Sequence, residues 1–161
     1  MLRQLFFLLI FSSVITFSQD TRWYPFNDGL ETATKENKKI LMDVYTDWCA
    51  WCKRMDKDVY AQNEVKVLLN KFFVLVKLNA ESNNEAAYNE QTMTETMLAQ
   101  ELGVDGYPST IFFLPNGEVI TAVPGYVAPD KFLLILKYIG ENHYVTMDWE
   151  EFEAKETGEE E

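Results

Sequence analysis

The six residues Trp48-Cys49-Ala50-Trp51-Cys52-Lys53 constrain this chain more than any others. They hold both of its cysteines, three positions apart, just after an apolar run, Ile40-Leu41-Met42-Asp43-Val44-Tyr45. Such a run reads as a buried strand, and a Cys-x-x-Cys where a strand turns into a helix suits a disulfide that opens and closes. In a helix's first turn, unpaired backbone N–H groups and the helix dipole favour a thiolate at Cys49. Cys52 lies one turn on, near enough to close a small ring with it. Two alternatives are open for the pair: an inert disulfide, or half of a zinc site. Zinc takes about four ligands, and the chain adds one histidine, His143. The expectation is therefore a redox-active Cys49–Cys52 disulfide, with no other cofactor and no stable metal.

The first eighteen residues read as an address. Arg3 supplies a positive charge, Leu5 to Phe17 is almost wholly apolar, and Thr16-Phe17-Ser18 offers small residues where a signal peptidase inspects the chain. The run is short for a membrane span, which needs about 20 residues; an uncleaved anchor is the lesser alternative. The expected organisation is a signal peptide over 1–18, one α/β domain over 19–145 and an acidic tail over 146–161. Localisation is then periplasmic or extracellular. Stapled exported domains carry more than two cysteines, so an oxidising address makes this pair chemical rather than structural. The net charge of −12 argues against nucleic acid and anionic membrane surfaces as partners. Trp149 and Phe152 are spaced to dock one helical face before the tail leaves the surface.

Along the mature chain, Asp28-Gly29-Leu30-Glu31 resembles a capping box that opens a helix. Lys39 to Thr46 reads as a buried strand, Cys49 to about Tyr60 as a helix, and Asn63 as the cap of another. Phe72 to Leu78 is a second buried strand. Asn79 to Asn89 is polar and reads as loop, and Gln91 to Leu102 as helix stopped by Gly103. Ser109 to Leu114 is a third apolar run, turned at Pro115-Asn116-Gly117 into a fourth strand, Glu118 to Val123. Pro129 opens a last helix striped by Phe132, Ile135, Leu136 and Ile139. The order predicts an α/β fold: a mixed central sheet with helices on both faces, and an extra helix ahead of it.

Each candidate side chain admits a plainer role. Asp43, between Met42 and Val44, is either a desolvated acid with a raised pKa or an acid on a wet strand face. Lys77 either pairs with Asp43 across the sheet or lays its stem on apolar surface with its amine in water. Trp48 either receives a partner or packs on the helix. Trp51, between the cysteines, is expected to be exposed and to make contacts with a partner. Pro108 is allowed at a strand start on backbone grounds alone. His143 reads as a surface residue near a helix end.

Several separated features together resemble the thioredoxin family over about Asn27 to Asn142. Asp43 stands six residues before Cys49, Trp48 precedes the first cysteine, Lys77 falls in the second core strand, Tyr107-Pro108 precedes the third, and Gly125 follows the hairpin. The resemblance implies a cis bond at Pro108, with Tyr107 offering backbone groups to substrate. It also implies a buried acid at Asp43, a nearby lysine at Lys77, and Cys49 as nucleophile resolved by Cys52. Ala50-Trp51 between the cysteines, and a polar insertion around Glu81 to Thr96 before the cis-proline strand, depart from the cytosolic members. They are similar to a secreted thioredoxin-like branch that includes relatives of the C-terminal domain of the interchange protein DsbD.

The implied function is that of an exported thiol–disulfide oxidoreductase acting on protein disulfides, with a membrane electron donor of the DsbD type as a partner. A redox-responsive binding or chaperone-like module without turnover is the alternative. No histidine lies between the cysteines, which favours a reducing or interchange role over strong oxidation.

Overall fold

The computed structural model describes residues 20–158. Met1 to Ser18, the expected signal, lie outside the described residues. Five strands form one sheet in the order β1-β3-β2-β6-β7: β1 Trp23–Tyr24, β2 Lys39–Tyr45, β3 Phe73–Asn79, β6 Ser109–Phe113 and β7 Val119–Pro124. Strands β1, β3 and β2 run parallel, and β6 and β7 are antiparallel additions. Parallel neighbours need a long crossover. Here it consists of α2 (Ala50–Met55), a π-helical turn (Asp56–Tyr60) and α3 (Asn63–Phe72).

Both sheet faces are covered, which is why β2 reads as a continuous apolar run. Ile40, Met42 and Val44 point into a core shared with α1 (Phe26–Glu36) and α4 (Glu95–Glu101). Leu41 faces the other core, built with Met55, Val59, Val65, Leu69 and the stripe Phe132, Ile135, Leu136, Ile139 of α5 (Pro129–Gly140). Strand alternation therefore turns Asp43 toward the layer that carries the cysteines. Gly29 is where α1 lies closest to the sheet: a Cβ there would collide with the Val76 side chain.

The structure corrects several sequence expectations. The first helix begins at Phe26, with Asp28 inside its first turn and no side-chain cap, because the N-cap position is held by Pro25, whose ring offers no acceptor. Gln62, not Asn63, is the cap residue of α3. The helix after the cysteines changes to π-helical winding at Asp56. The largest difference lies in the insertion. Glu85–Tyr88 (β4) and Gln91–Thr94 (β5) form a hairpin where loop and helix were expected. Asn89 and Glu90 turn it with φ of 49° and 63°, the backbone of a tight two-residue hairpin. Ala86, Tyr88 and Met93 add a buried face, and the Asn27 side chain joins the hairpin to α1: it accepts from the Ala87 N–H at 2.8 Å and donates to the Glu85 carbonyl at 3.0 Å.

Beyond α5 and a short 3-10 turn (His143–Val145), the acidic segment forms α6 (Trp149–Thr157), capped by Asp148. Phe152 is buried against Tyr138 and Trp149, and Lys137 and Lys131 pair with Glu156 and Glu153. Buried Phe→Ala changes cost about 3 kcal/mol or more. In the Phe152→Ala variant, hydrogen exchange at the α6 amides is expected to speed up on the order of a hundredfold, while the β2 amides keep their protection. Equal loss of protection in both elements would mean that α6 is part of the main cooperative unit.

Candidate active site

Strand β2 ends at Tyr45, and the chain turns through Thr46-Asp47-Trp48, closed by the Cys49 N–H on the Thr46 carbonyl at 3.1 Å. Cys49 is the N-cap of α2 and not a residue of its first turn. Its sulfur is bonded to that of Cys52, with the Cα atoms 5.3 Å apart, and accepts the Cys52 backbone N–H at 3.0 Å. One orphan donor of the helix start thus ends on Cys49 Sγ. The pair is only 4% and 3% exposed, whereas the neighbouring Trp48 and Trp51 are 67% and 52% exposed. Both cysteines are thus buried in this oxidised state.

Asp43 sits on the sheet face beneath this helix, 1% exposed. Sheet register places it opposite Lys77 on β3 and Thr110 on β6. Lys77 Nζ lies 2.5 Å from Asp43 Oδ2 and 2.5 Å from Asp56 Oδ1. The Tyr60 hydroxyl donates to Asp43 Oδ1 at 3.2 Å and lies 3.3 Å from Thr110 Oγ1. Three rings, Trp23, Tyr45 and Tyr60, have their centroids 4.8 to 5.4 Å from the ammonium. The Lys77 side chain is 23% exposed and opens onto a cavity of about 290 Å³ lined also by Trp23, Tyr45, Asn79 and Glu95.

Burial sets the electrostatics. Desolvation raises the Asp43 pKa above the usual carboxylate value, against the opposing pull of Lys77. For Lys77 desolvation is the largest single influence and acts downward, but Asp43 and Asp56 together outweigh it and the amine is held above its usual value. The Tyr60 hydroxyl is pushed well above its usual range, first by complete burial and then by the Asp43 charge, so it stays a donor.

The Tyr107–Pro108 bond is cis, and the Pro108 carbonyl accepts the Gly125 N–H at 2.8 Å. Trp48 stands edge-on to Tyr107 at 6.0 Å and donates its indole N–H to Glu81 at 2.9 Å. Trp51 turns the other way, toward Tyr126 at 5.4 Å. Of the residues singled out from sequence, Asp43 meets Lys77 and Trp48 meets Tyr107, while the two tryptophans belong to separate clusters. His143 lies away from the cysteines, stacked on Phe152. Sequence reasoning missed Tyr60, Thr110, Asp56, Glu81, Arg54 and Tyr126. Asp56 carried a usable signal, four residues after Cys52 and hence on the same helix side, and Tyr126 adjoins the glycine already singled out. Among the described residues no group of three or more His, Cys, Asp or Glu side chains is placed to hold a metal ion.

A protein-family model described as a thioredoxin-like domain matches residues 26–140. The thiol:disulfide interchange protein DsbD of Actinobacillus pleuropneumoniae serotype 5b (strain L20) is 29% identical over 100 residues, 61% of this chain and 16% of that protein. The chain thus spans about a sixth of that relative's length. Among solved structures, a thioredoxin-fold protein from Helicobacter pylori superposes with a TM-score of 0.66 at 23% identity, over 85% of this chain and 84% of that one, a likeness of fold. The C-terminal domain of DsbD from Neisseria meningitidis, in its reduced form, superposes with a TM-score of 0.54 at 26% identity, over 69% of this chain and 90% of that one.

An acid with a raised native pKa keeps its proton in the folded state at pH values where the unfolded chain has lost it. Stability is then lost as pH rises from the ordinary carboxylate value to the raised one. The unfolding free energy of oxidised Asp43→Asn minus that of the unaltered chain should therefore grow from pH 4 upward, with a limiting slope of about 1.4 kcal/mol per pH unit, then level off. Urea titrations at intervals from pH 4 to 8 measure it; a difference that stays flat would mean that Asp43 titrates normally.

Proposed function

The chain belongs to the thioredoxin-like domain family, and from that premise we propose that it is an exported thiol–disulfide oxidoreductase that reduces or exchanges protein disulfides through Cys49 and Cys52. The observation that carries this is the Cys49–Cys52 disulfide at a helix start, with a backbone N–H on the first sulfur and a buried acid beneath. In the reduced protein the Cys49 thiolate keeps that N–H and the positive end of the helix.

The thiolate attacks one sulfur of a substrate disulfide. The substrate S–S bond breaks, a Cys49–substrate mixed disulfide forms, and the leaving thiolate takes a proton. Cys52 then gives its proton to the Asp43 carboxylate and attacks Cys49 Sγ. The Cys49–substrate bond breaks, the Cys49–Cys52 bond reforms, the second substrate sulfur leaves as a thiolate that takes the proton from Asp43, and two electrons have passed from the pair to the substrate. Asp43 suits this because its raised pKa brings proton transfer nearer to neutral pH. Lys77, Asp56 and Tyr60 position it and set its charge. Tyr107 and Pro108 beside the cysteines, with Trp48 and Trp51 exposed around them, form the surface that receives the substrate.

Returning the pair to the dithiol state needs an external two-electron donor, and similarity to DsbD supports a membrane partner of that type. Export is inferred from the sequence of Met1 to Ser18. Among the described residues no helix is long and apolar enough to cross a membrane.

With dithiothreitol as donor, the chain is expected to accelerate the turbidity that follows insulin reduction, and Cys49→Ser to return it to the uncatalysed rate. No turnover by the unaltered chain, with tight binding of reduced insulin chains, would support the binding-module alternative instead. The Cys52→Ser variant should accumulate the mixed disulfide, detectable by mass. Asp43→Ala should slow its resolution on the order of a hundredfold at neutral pH, as read by stopped-flow; unchanged kinetics would remove Asp43 from the proton transfer.

A further inference from the structure

Trp51 does not stand alone beside the cysteines. Its ring lies 5.4 Å from that of Tyr126, tilted by 47°. The Arg54 guanidinium carbon is 5.1 Å from the Trp51 centroid and 5.6 Å from the Tyr126 centroid. Arg54 Nε in turn donates to Asp58 Oδ2 at 3.1 Å. Helical spacing builds this: Trp51 to Arg54 is three residues and Arg54 to Asp58 four, so all three share one side. Tyr126 comes from a different part of the chain. It follows Gly125, whose N–H is held by the Pro108 carbonyl. The stack therefore joins the residue between the two cysteines to the loop after β7, which is itself hydrogen-bonded to the cis proline.

A half-exposed indole has rotamers to lose when a partner covers it, and that loss weakens binding. Here a flat cation shared between two rings, itself held by a carboxylate, fixes the ring beforehand. We infer that Arg54 is a positioning residue: it fixes Trp51 against Tyr126 as a preformed apolar wall beside the disulfide. It thereby sets a preference for disulfides carried on a protein segment with apolar side chains over small polar ones such as glutathione disulfide. This rests on the oxidoreductase proposed above and names its substrate class. The contrast in exposure supports it: the cysteines are 4% and 3% exposed and Trp51, between them in sequence, is 52% exposed, so the indole offers apolar surface next to a buried disulfide.

The test compares two probes. For insulin, Arg54→Ala is expected to raise KM roughly three- to tenfold, the cost of immobilising one large side chain on binding, with kcat changed less than about twofold. The rate at which the reduced protein consumes glutathione disulfide should stay within about twofold. Arg54→Lys keeps the charge but loses the flat stacking group and should resemble Arg54→Ala. In a Trp51→Ala background Arg54→Ala should add nothing further. Equal losses on both probes, or full activity on insulin in Arg54→Lys, would overturn the inference. A readout independent of turnover is the 15N heteronuclear NOE of the Trp51 indole N–H in the oxidised protein. It should fall in Arg54→Ala, and an unchanged value overturns the positioning role even where catalysis persists. Failure of the unaltered chain to turn over insulin would instead overturn the oxidoreductase function beneath it.

Discussion

A carboxylate in the middle of a central strand is the most demanding feature of this molecule, and much of the architecture answers to it. Removing a charge from water costs several kcal/mol even after relaxation. The register that sets Asp43 opposite Lys77 and Thr110 supplies one ammonium and one hydroxyl from the sheet. The π-helical turn supplies Asp56 and the Tyr60 hydroxyl from the layer above. Even the two-residue strand β1 contributes, because it sets Trp23 beside Lys77. Compensation is incomplete, since burial still outweighs the lysine in the acid's proton affinity. That imbalance is the property a proton acceptor near neutral pH needs.

Over this acid lies a surface of a different kind. The cysteines are buried and both indoles are exposed, so in the proposed function reactivity and recognition sit at different depths. Each tryptophan is held from outside the Cys-x-x-Cys segment, Trp48 by Glu81 and Tyr107, Trp51 by Arg54 and Tyr126. The charged anchors have opposite sign, Glu81 following β3 and Arg54 standing on α2. The two anchoring groups are joined to each other, because the Gly125 N–H beside Tyr126 donates to the Pro108 carbonyl beside Tyr107.

The parts of this arrangement legible in the sequence were those fixed by local pattern. Continuous apolar runs gave the three core strands, the stripe Phe132, Ile135, Leu136, Ile139 gave α5, and the cysteine spacing gave the reactive pair. Asp43 and Lys77 stood out because each interrupts an apolar strand. The hairpin within the insertion was hidden because its alternation is short and is carried partly by Ala86, a weak apolar signal. Tyr60 was hidden because its place over Asp43 depends on a change of helical winding that no local propensity announces. Glu81, Arg54 and Tyr126 act through partners distant in sequence or through a ring plane, neither of which composition encodes.

The β4–β5 hairpin is a separate two-stranded sheet, fastened to the body by its buried face and the Asn27 side chain. Its tip, Asn89-Glu90, is exposed and turns at positive φ, outside every network that holds the sulfurs or the acid. Exposed tips of this kind are where chains best accept inserted residues. The molecule thus has a natural splice point: an epitope, a dye-bearing loop or a second module joined there would ride on the protein without reaching its chemistry.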